Sequence, residues 1–178
     1  MIGSIGHSTR PIEGFIAILQ AHTVGQVVDI RTIPRSRTNP QFNRESLPLS
    51  LSAVGILYQH MPGLGGLRKP RSDSVNTAWR NASFRGYADY MQTLEFEVSL
   101  TDLIATAAER STVIMCAEAV HWRCHRSLVA DALMARGVEV RHLQSAGPAK
   151  SHSLTQFAHV NGTRITYQGD QLTLSPEH

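Results

Sequence analysis

Five short apolar runs alternate with amphipathic segments over residues 1–143, and this alternation restricts the fold more than any other feature. The runs cover residues 2–5, 27–30, 56–60, 113–116 and 138–143. Between them, apolar residues recur at the i, i+3, i+4, i+7 spacing of one helix face, as in Ile12, Phe15, Ile16 and Leu19. Strands alternating with helices predict a mostly parallel five-stranded sheet with helices on both faces, a three-layer α/β architecture.

The chain of 178 residues is expected to form a single α/β domain, with a core of residues 1–143 and an extension of residues 144–178. In the extension, two runs rich in β-forming residues, 163–167 and 171–174, flank Gln168-Gly169-Asp170. This pattern predicts a β-hairpin added to the sheet.

Composition narrows the cellular setting and the class of partner. No run approaches the roughly 20 apolar residues of a membrane span, the start lacks a signal-peptide pattern, and the two cysteines are too few for a disulfide framework. We therefore expect a cytoplasmic protein without membrane contact. Residues 31–85 hold nine basic side chains against two acidic ones, and residues 62–86 read as a long irregular loop. That concentration of charge favours an anionic partner.

Polar residues follow the ends of the first four predicted strands. Gly6 to Arg10 follow the first strand, Asp29 and Arg31 end the second, His60 ends the third, and residues 116–126 follow the fourth. Ligands of parallel sheets bind beyond the carboxyl ends of the strands. A site at this edge of the sheet is therefore expected.

Residues 113–127 read as a strand, a polar loop and the start of a helix. A helix N-terminus favours anions and thiolates, because its backbone N–H groups are unpaired and carry partial positive charge. The loop and the start of the helix concentrate reactive side chains: Cys116, Glu118, His121, Arg123, Cys124, His125 and Arg126.

Guanidinium groups match the geometry of phosphate and carboxylate, so five arginines are candidates to hold an anion. They are Arg10, Arg31, Arg35, Arg123 and Arg126. Asp29 could instead hold Arg31 or Arg126 in a structural ion pair. His7 and His125 are candidates for proton transfer, and Glu118 for a general base or for orienting an arginine. Ser8, Thr9 and Tyr87 complete the predicted ligand contacts, although the aromatic group of Trp79, Phe84, Tyr87 and Tyr90 could serve only to fix the long loop.

The two cysteines allow several interpretations. Cys116 follows an apolar strand, where an inert buried thiol is common, whereas Cys124 lies at a predicted helix start that lowers thiol pKa values. Either could be a nucleophile, and together they could form a redox disulfide. Cys116, Cys124, His125, His121 and His7 do not have the spacing of paired-cysteine zinc sites, so no metal site is assigned, and no motif identifies a cofactor.

Six segments resemble, in matching order, the motifs of the family called domain of unknown function 488. They are Gly6-His7-Ser8-Thr9-Arg10; Asp29-Ile30-Arg31 with Pro34-Arg35-Ser36; Asn39-Pro40-Gln41-Phe42-Asn43; Leu64-Gly65-Gly66; Arg85-Gly86-Tyr87-Ala88-Asp89-Tyr90-Met91; and Cys116-Ala117-Glu118 followed by Cys124-His125-Arg126. The resemblance covers residues 2–142 and implies a fold and a shared polar edge, but no established activity. A weaker resemblance to rhodanese-type domains and cysteine phosphatases rests on a strand, a cysteine, a loop and a helix beginning near an arginine. Here the loop lacks glycines and is one residue longer than the phosphatase pattern between Cys116 and Arg123.

Three hypotheses of function follow. The first is binding of a small phosphorylated or nucleotide-like anion, with or without catalysis, by the Arg/His/Cys site. The second is a thiol enzyme of rhodanese or phosphatase type that uses Cys116 or Cys124. The third, without support from any recognised motif, is nucleic-acid binding by residues 31–85. The sequence does not indicate an oligomeric state.

Overall fold

A computed structural model describes residues 1–169 and shows an α/β domain built on one six-stranded sheet. The strands are β1 (Ile2–Gly6), β2 (Gln26–Asp29), β3 (Leu57–His60), β4 (Thr112–Cys116), β5 (Val140–Leu143) and β6 (Lys150–Ser151). Their order is β3-β2-β4-β1-β5-β6; the first five are parallel, and β6 is antiparallel to β5. The predicted parallel sheet is confirmed. The sixth strand has only two residues, too few for a recognisable pattern.

Helices cover both faces of the sheet, as the alternation predicts. They are α1 (Ile12–Ala21), α2 (Leu47–Ser52), α3 (Ala82–Tyr90), α4 (Leu94–Glu109) and α5 (Arg126–Met134). On one face, α1 and α2 pack against Met115, and on the other, α3, α4 and α5 pack against Ile114, its neighbour in β4. This two-sided burial explains why the strands are almost continuously apolar.

Helix α3 occupies part of the segment 62–86 that was expected to be irregular. The Asn81 side chain caps this helix by accepting hydrogen bonds from the backbone N–H groups of Ser83 and Phe84. Its face combines Tyr87 and Ala88 with polar residues, so apolar periodicity alone gives only a weak helix signal.

The C-terminal hairpin is confirmed, but its strands are β7 (His159–Asn161) and β8 (Arg164–Thr166). The predicted first strand, 163–167, corresponds to β8, whereas its expected partner, 171–174, lies outside the described residues. Strand β8 pairs with β7, the strand that precedes it in the chain, and a turn of two residues joins them. Gly162, with a φ of 62°, provides the left-handed backbone that this two-residue turn requires.

The sheet brings the carboxyl ends of four strands to one level. Gly6 of β1 pairs with Cys116 of β4, and Asp29 of β2 pairs with both Met115 of β4 and His60 of β3. Because β4 lies between β1 and β2, the loops that follow these strands meet over the centre of the sheet. This is where ligands bind in open α/β sheets.

Candidate functional site

A cleft of about 570 Å³ opens beyond the carboxyl ends of β1, β2 and β4. It is called the cysteine cleft below, because Cys116 and Cys124 both lie on its wall and both are free thiols. Its remaining walls come from four loops: His7, Ser8, Thr9, Arg31, Thr32, Ile33, Arg35, Ser36, Asn39, Gly66, Leu67, Ala117, Glu118, Ala119 and His125. The loops predicted to converge at this edge therefore do converge.

Cys124 lies two residues before the first residue of α5, in contact with the imidazole of His125. The distance from Cys124 Sγ to His125 Nδ1 is 3.6 Å, and the backbone N–H of Arg126 donates to the same sulfur at 3.4 Å. His125 Nε2 lies 3.1 Å from the carbonyl oxygen of Ile30, which can only accept, so this nitrogen carries a proton. Nδ1 is therefore the nitrogen that faces the Cys124 sulfur with its lone pair or a second proton.

The environments of the two thiols drive their pKa values in opposite directions. Burial opposes ionisation of both. For Cys124, hydrogen bonds with Cys116 and His125 and the charges of His125 and Arg126 overcome burial and hold the pKa well below its ordinary value. For Cys116, burial and the neighbouring Cys124 raise the pKa well above its ordinary value. Cys124 is thus the cysteine favoured as the thiolate, and Cys116 is favoured in its protonated form.

Arg126, the first residue of α5, is a buried cation that does not line the cleft itself, with only 2% of its surface exposed. Its guanidinium donates to the Glu118 carbonyl oxygen at 2.7 Å and to Ser4 Oγ at 3.1 Å, while its Nε has no hydrogen-bond partner. Within residues 1–169, no carboxylate forms an ion pair with it. A buried charge needs compensation, and the Cys124 thiolate is the nearby group that can provide it.

Arg31 forms the structural ion pair that the sequence offered as an alternative. Its guanidinium donates to both carboxylate oxygens of Asp29, at 2.9 and 2.6 Å, and to the Phe42 carbonyl oxygen at 2.7 Å. Its remaining nitrogen donates to His7 Nε2 at 3.2 Å. The hydroxyl of Tyr58 also donates to Asp29, at 2.7 Å. Arg31 thus supports the wall of the cleft, and most of its donors are already engaged.

His7 is neutral and held in place. Its Nδ1 donates to the Ser8 carbonyl oxygen at 2.8 Å, and its ring stacks on Phe42 with centroids 4.3 Å apart. Burial, together with the charge of Arg31, lowers the pKa of His7 to about 4, against the opposing effect of the Ser8 hydrogen bond. With both nitrogens bonded, His7 is a wall of the cleft, and the proton-transfer role expected of it is less accessible than that of His125.

The other predicted site residues divide into two groups. Ser8, Thr9, Arg35 and Glu118 line the cleft. The others do not: Arg10 donates to the carbonyl oxygens of Gly6 and Gln144, Arg123 is exposed on the turn before α5, and Tyr87 is buried with its hydroxyl on the Leu64 carbonyl oxygen. Arg35 is therefore the arginine that reaches the cleft without an internal ion pair.

The glycines of Leu64-Gly65-Gly66 allow the loop after β3 to reach the site. A Cβ on Gly65 would lie 2.4 Å from Thr32 Oγ1, and one on Gly66 would lie 3.1 Å from His125 Nδ1. Thr32, Asn39 and Gly66 line the cleft but were not predicted as site residues. The prediction of site residues relied on charged and reactive side chains in the same loops, whereas Thr32, Asn39 and Gly66 contribute to the shape of the cleft.

The aromatic residues of the long loop fix it to the domain. Trp79 stacks on Phe84, and Tyr90 donates to the Gly63 carbonyl oxygen at 2.6 Å. Several basic side chains of residues 31–85 are also engaged: Arg68 lies over the ring of Tyr90, and Arg71 pairs with Asp73. The loop-fixing interpretation of these aromatic residues therefore accounts for their contacts.

The fold and site together define an α/β domain with a cysteine–histidine cleft at the carboxyl edge of a parallel sheet. Residues 11–133 match the model of the family described as "Domain of unknown function DUF488", and the chain belongs to this family. The Gly6 to Arg10 segment precedes the matched region. Neither the curated proteins nor the solved structures contain a significant match. Among residues 1–169, no helix combines the length and apolar character needed to cross a membrane.

Proposed function

We propose that this protein is a thiol-dependent enzyme in which Cys124 is the nucleophile. The observation that carries the proposal is the position of Cys124 Sγ, which contacts His125 Nδ1 and the first N–H of α5 while facing an open cleft. A thiolate is the reactive form of cysteine, and an adjacent imidazole and a helix N-terminus both stabilise it. This proposal places the rhodanese- or phosphatase-like hypothesis ahead of simple anion binding.

The proposed substrate is a small anion that carries a transferable sulfur or phosphoryl group. Arg35 and the buried charge of Arg126 give the cleft a positive field. The Cys124 thiolate forms a bond to the transferred group, and the leaving group departs with the electrons of the bond that breaks. His125 donates its Nδ1 proton to that leaving group, and the enzyme-bound group then passes to water or to an acceptor thiol.

Cys116 and Glu118 have supporting roles in this proposal. The Cys116 thiol donates a hydrogen bond to the Cys124 thiolate and keeps it ionised. Glu118 lies on the cleft wall, where its carbonyl oxygen holds Arg126 and its side chain can orient the incoming acceptor. Because both thiols must stay reduced, we propose a reducing, cytoplasmic setting.

The test is alkylation by iodoacetamide as a function of pH, in the wild type and in the Cys116→Ser and Cys124→Ser variants. We expect one thiol, absent in Cys124→Ser, to react with a midpoint below the ordinary cysteine pKa of about 8.5. His125→Asn should raise that midpoint, because the neutral amide cannot provide the imidazolium charge.

Two probe reactions then distinguish transfer of sulfur from transfer of a phosphoryl group. They are sulfur transfer from thiosulfate to cyanide and hydrolysis of p-nitrophenyl phosphate. Activity in either reaction that Cys124→Ser abolishes and Cys116→Ser retains supports the proposal. An ordinary pKa for Cys124 would contradict it. Saturable phosphate binding that survives in Cys124→Ser, without turnover of either probe, would show that the site binds anions without thiol catalysis.

A further inference from the structure

A second cluster of reactive side chains lies apart from the cysteine cleft, where three histidines meet. His121 begins the turn before α5 (His121–Arg123), His142 lies in β5, and His152 directly follows β6. One ring nitrogen from each lies within 4.8 Å of the others. These three residues are called the histidine cluster below. The segments that carry them are separated by up to 31 positions in the chain, so their convergence is a product of the fold.

His152 has the hydrogen bonding that proteins use to orient a metal ligand. Its Nε2 lies 2.8 Å from Asp131 Oδ1, and the carboxylate can only accept, so Nε2 carries the proton and the lone pair of Nδ1 accepts a hydrogen bond from His142 Nε2. Asp131 is itself fixed by the Tyr167 hydroxyl at 2.7 Å and the Thr155 N–H at 3.0 Å. A carboxylate that holds the outer nitrogen of a histidine increases the basicity of the inner nitrogen and fixes the ring.

The other two rings carry buried nitrogens that the protein does not pair. The Nδ1 atoms of His121 and His142 are inaccessible to solvent and have no hydrogen-bond partner. The two rings are stacked, with centroids 3.5 Å apart and planes 2° from parallel. Burial lowers the pKa of His121 to about 4 and that of His142 to about 3. Neutral rings are the form that binds metal.

We propose that the histidine cluster binds a divalent transition-metal ion of the zinc class, with His121, His142 and His152 as ligands and Asp131 as the orienting carboxylate. Imidazole nitrogen favours zinc and related ions over magnesium and calcium, which prefer oxygen. Three histidine ligands leave a fourth position for water or another ligand, as in catalytic rather than purely structural zinc sites.

The cluster is reachable from solvent. His121 and His152 lie on the wall of a second cleft, of about 340 Å³, whose aromatic lining includes Trp79, Trp122 and Phe157. A metal ion could enter by this route, and its fourth position would face an apolar, aromatic surface. The ligand expected there is therefore a small molecule with one donor atom and an apolar body.

The charges around the cluster act in both directions. The Asp131 carboxylate favours a bound cation through His152, whereas the positive charges of Arg126 and Lys150 act on His121 and His142 and oppose it. The geometry requires the rings to move. The planes of His121 and His142 are parallel and stacked, so the partly exposed His121 ring must turn before both ring planes can contain one ion. His142 Nε2 and His152 Nδ1 are 2.9 Å apart. Two nitrogens on a tetrahedral zinc lie about 3.3 Å apart at the usual bond length, so these two rings separate slightly when the ion binds. The proton that His142 Nε2 shares with His152 then moves to His142 Nδ1, and the ring stays neutral.

The test uses untagged, chelator-treated full-length protein, titrated with Zn²⁺ by calorimetry and with Co²⁺ by absorption spectroscopy. We expect one ion per chain and a tetrahedral cobalt spectrum without the thiolate charge-transfer band that ligation by Cys116 or Cys124 would produce. His121→Gln, at the partly exposed position, should weaken Zn²⁺ binding by more than the roughly 10–100-fold cost of losing an outer hydrogen bond. Asp131→Asn should weaken it within that range, because the ligands remain and only their orientation is lost.

Matched variants make the outcome decisive. His159→Gln changes an exposed histidine outside the cluster and should leave Zn²⁺ affinity unchanged. The double variant Cys116→Ser/Cys124→Ser should also retain it, which separates this site from the cysteine cleft and from its proposed function. Absence of Zn²⁺ and Co²⁺ binding would overturn the proposal. So would binding that His121→Gln leaves intact in a variant whose circular dichroism shows a normal fold.

Discussion

The cysteine cleft and the histidine cluster are built around the same turn and helix start, yet they use buried polar groups differently. In the cleft, an ion pair between Asp29 and Arg31 fixes the wall, and a thiolate is favoured beside the buried Arg126. In the cluster, Asp131 accepts a hydrogen bond from one of the three rings, that of His152. Charged side chains therefore dominate the cysteine cleft, whereas the lone pairs of imidazole nitrogens dominate the histidine cluster. Arg126 influences both, stabilising an anion on one side and opposing a cation on the other.

The largest expected difference in stability comes from replacing the buried carboxylate of each region, Asp29 in the cysteine cleft and Asp131 beside the histidine cluster. Asp29→Asn should lower the free energy of unfolding by about 3–5 kcal/mol, because it leaves the buried Arg31 charge without its partner. Asp131→Asn should cost only about 1–3 kcal/mol, since an asparagine can still accept hydrogen bonds and the Tyr167 hydroxyl and Thr155 N–H that Asp131 bonds carry no charge. Urea unfolding measures both. Equal losses would show that the two regions do not differ in their dependence on charge.

Acid sensitivity should come mainly from the histidine cluster. His121 and His142 have pKa values of about 4 and about 3 in the folded protein, below their ordinary 6.5, so the unfolded chain binds protons more readily. The stability they contribute is complete above pH 6.5 and is lost as the pH falls towards 3. The slope reaches about 1.4 kcal/mol per pH unit for each buried histidine, and less for the partly exposed His121.

Unfolding with a chelator present, between pH 4 and 7, separates the contributions of the two regions. The double variant His121→Gln/His142→Gln should flatten the pH dependence more than His7→Gln, because the cleft contributes one such histidine. His159→Gln should leave the slope unchanged. A larger effect of His7→Gln than of the double variant would contradict the assignment.

Replacing Arg126 should make the Cys124 thiolate less favourable and Zn²⁺ binding by the histidine cluster more favourable. Arg126→Met removes a buried positive charge, so the pKa of Cys124 should rise and iodoacetamide labelling should shift to higher pH. Zn²⁺ affinity of the histidine cluster should increase about tenfold, as expected when a nearby unit charge is removed at the effective dielectric constant of a protein. If a folded variant weakened both the Cys124 thiolate and Zn²⁺ binding, or strengthened both, Arg126 would act through packing rather than through its charge.

The smallest expected difference in stability between the cysteine cleft and the histidine cluster comes from backbone strain. Ser8 and Leu67, both on the wall of the cysteine cleft, have φ values of 49° and 61°, whereas none of the cluster histidines has positive φ. Leu67 is 79% exposed, so Leu67→Gly should relieve strain with little loss of burial and raise the unfolding free energy by up to about 1 kcal/mol. Thermal unfolding at fixed pH measures the change. A marked destabilisation would instead show that the Leu67 side chain stabilises the loop.

The positions of Cys124 and His125 illustrate what local sequence can predict. A strand, a loop and a helix start are contiguous in the chain, so the placement of these residues at a helix N-terminus follows from residues 113–127 alone. For Arg31, the sequence offered the ion pair with nearby Asp29 as one alternative, but its bonds to Phe42 and His7 could not be predicted, because these partners come from other segments. Arg10 was misleading for the same reason, since its bond to Gln144 spans most of the chain.

By itself, the sequence determined the α/β class, the parallel sheet, the family and the edge at which reactive residues gather, because periodicity and strand ends are local properties. Only the tertiary structure decided which cations are already paired, which thiol is favoured as the anion, and that His121, His142 and His152 meet. Each of these depends on distances between segments far apart in the chain. The electrostatic energies of buried groups change steeply with those distances, and a linear pattern does not contain them.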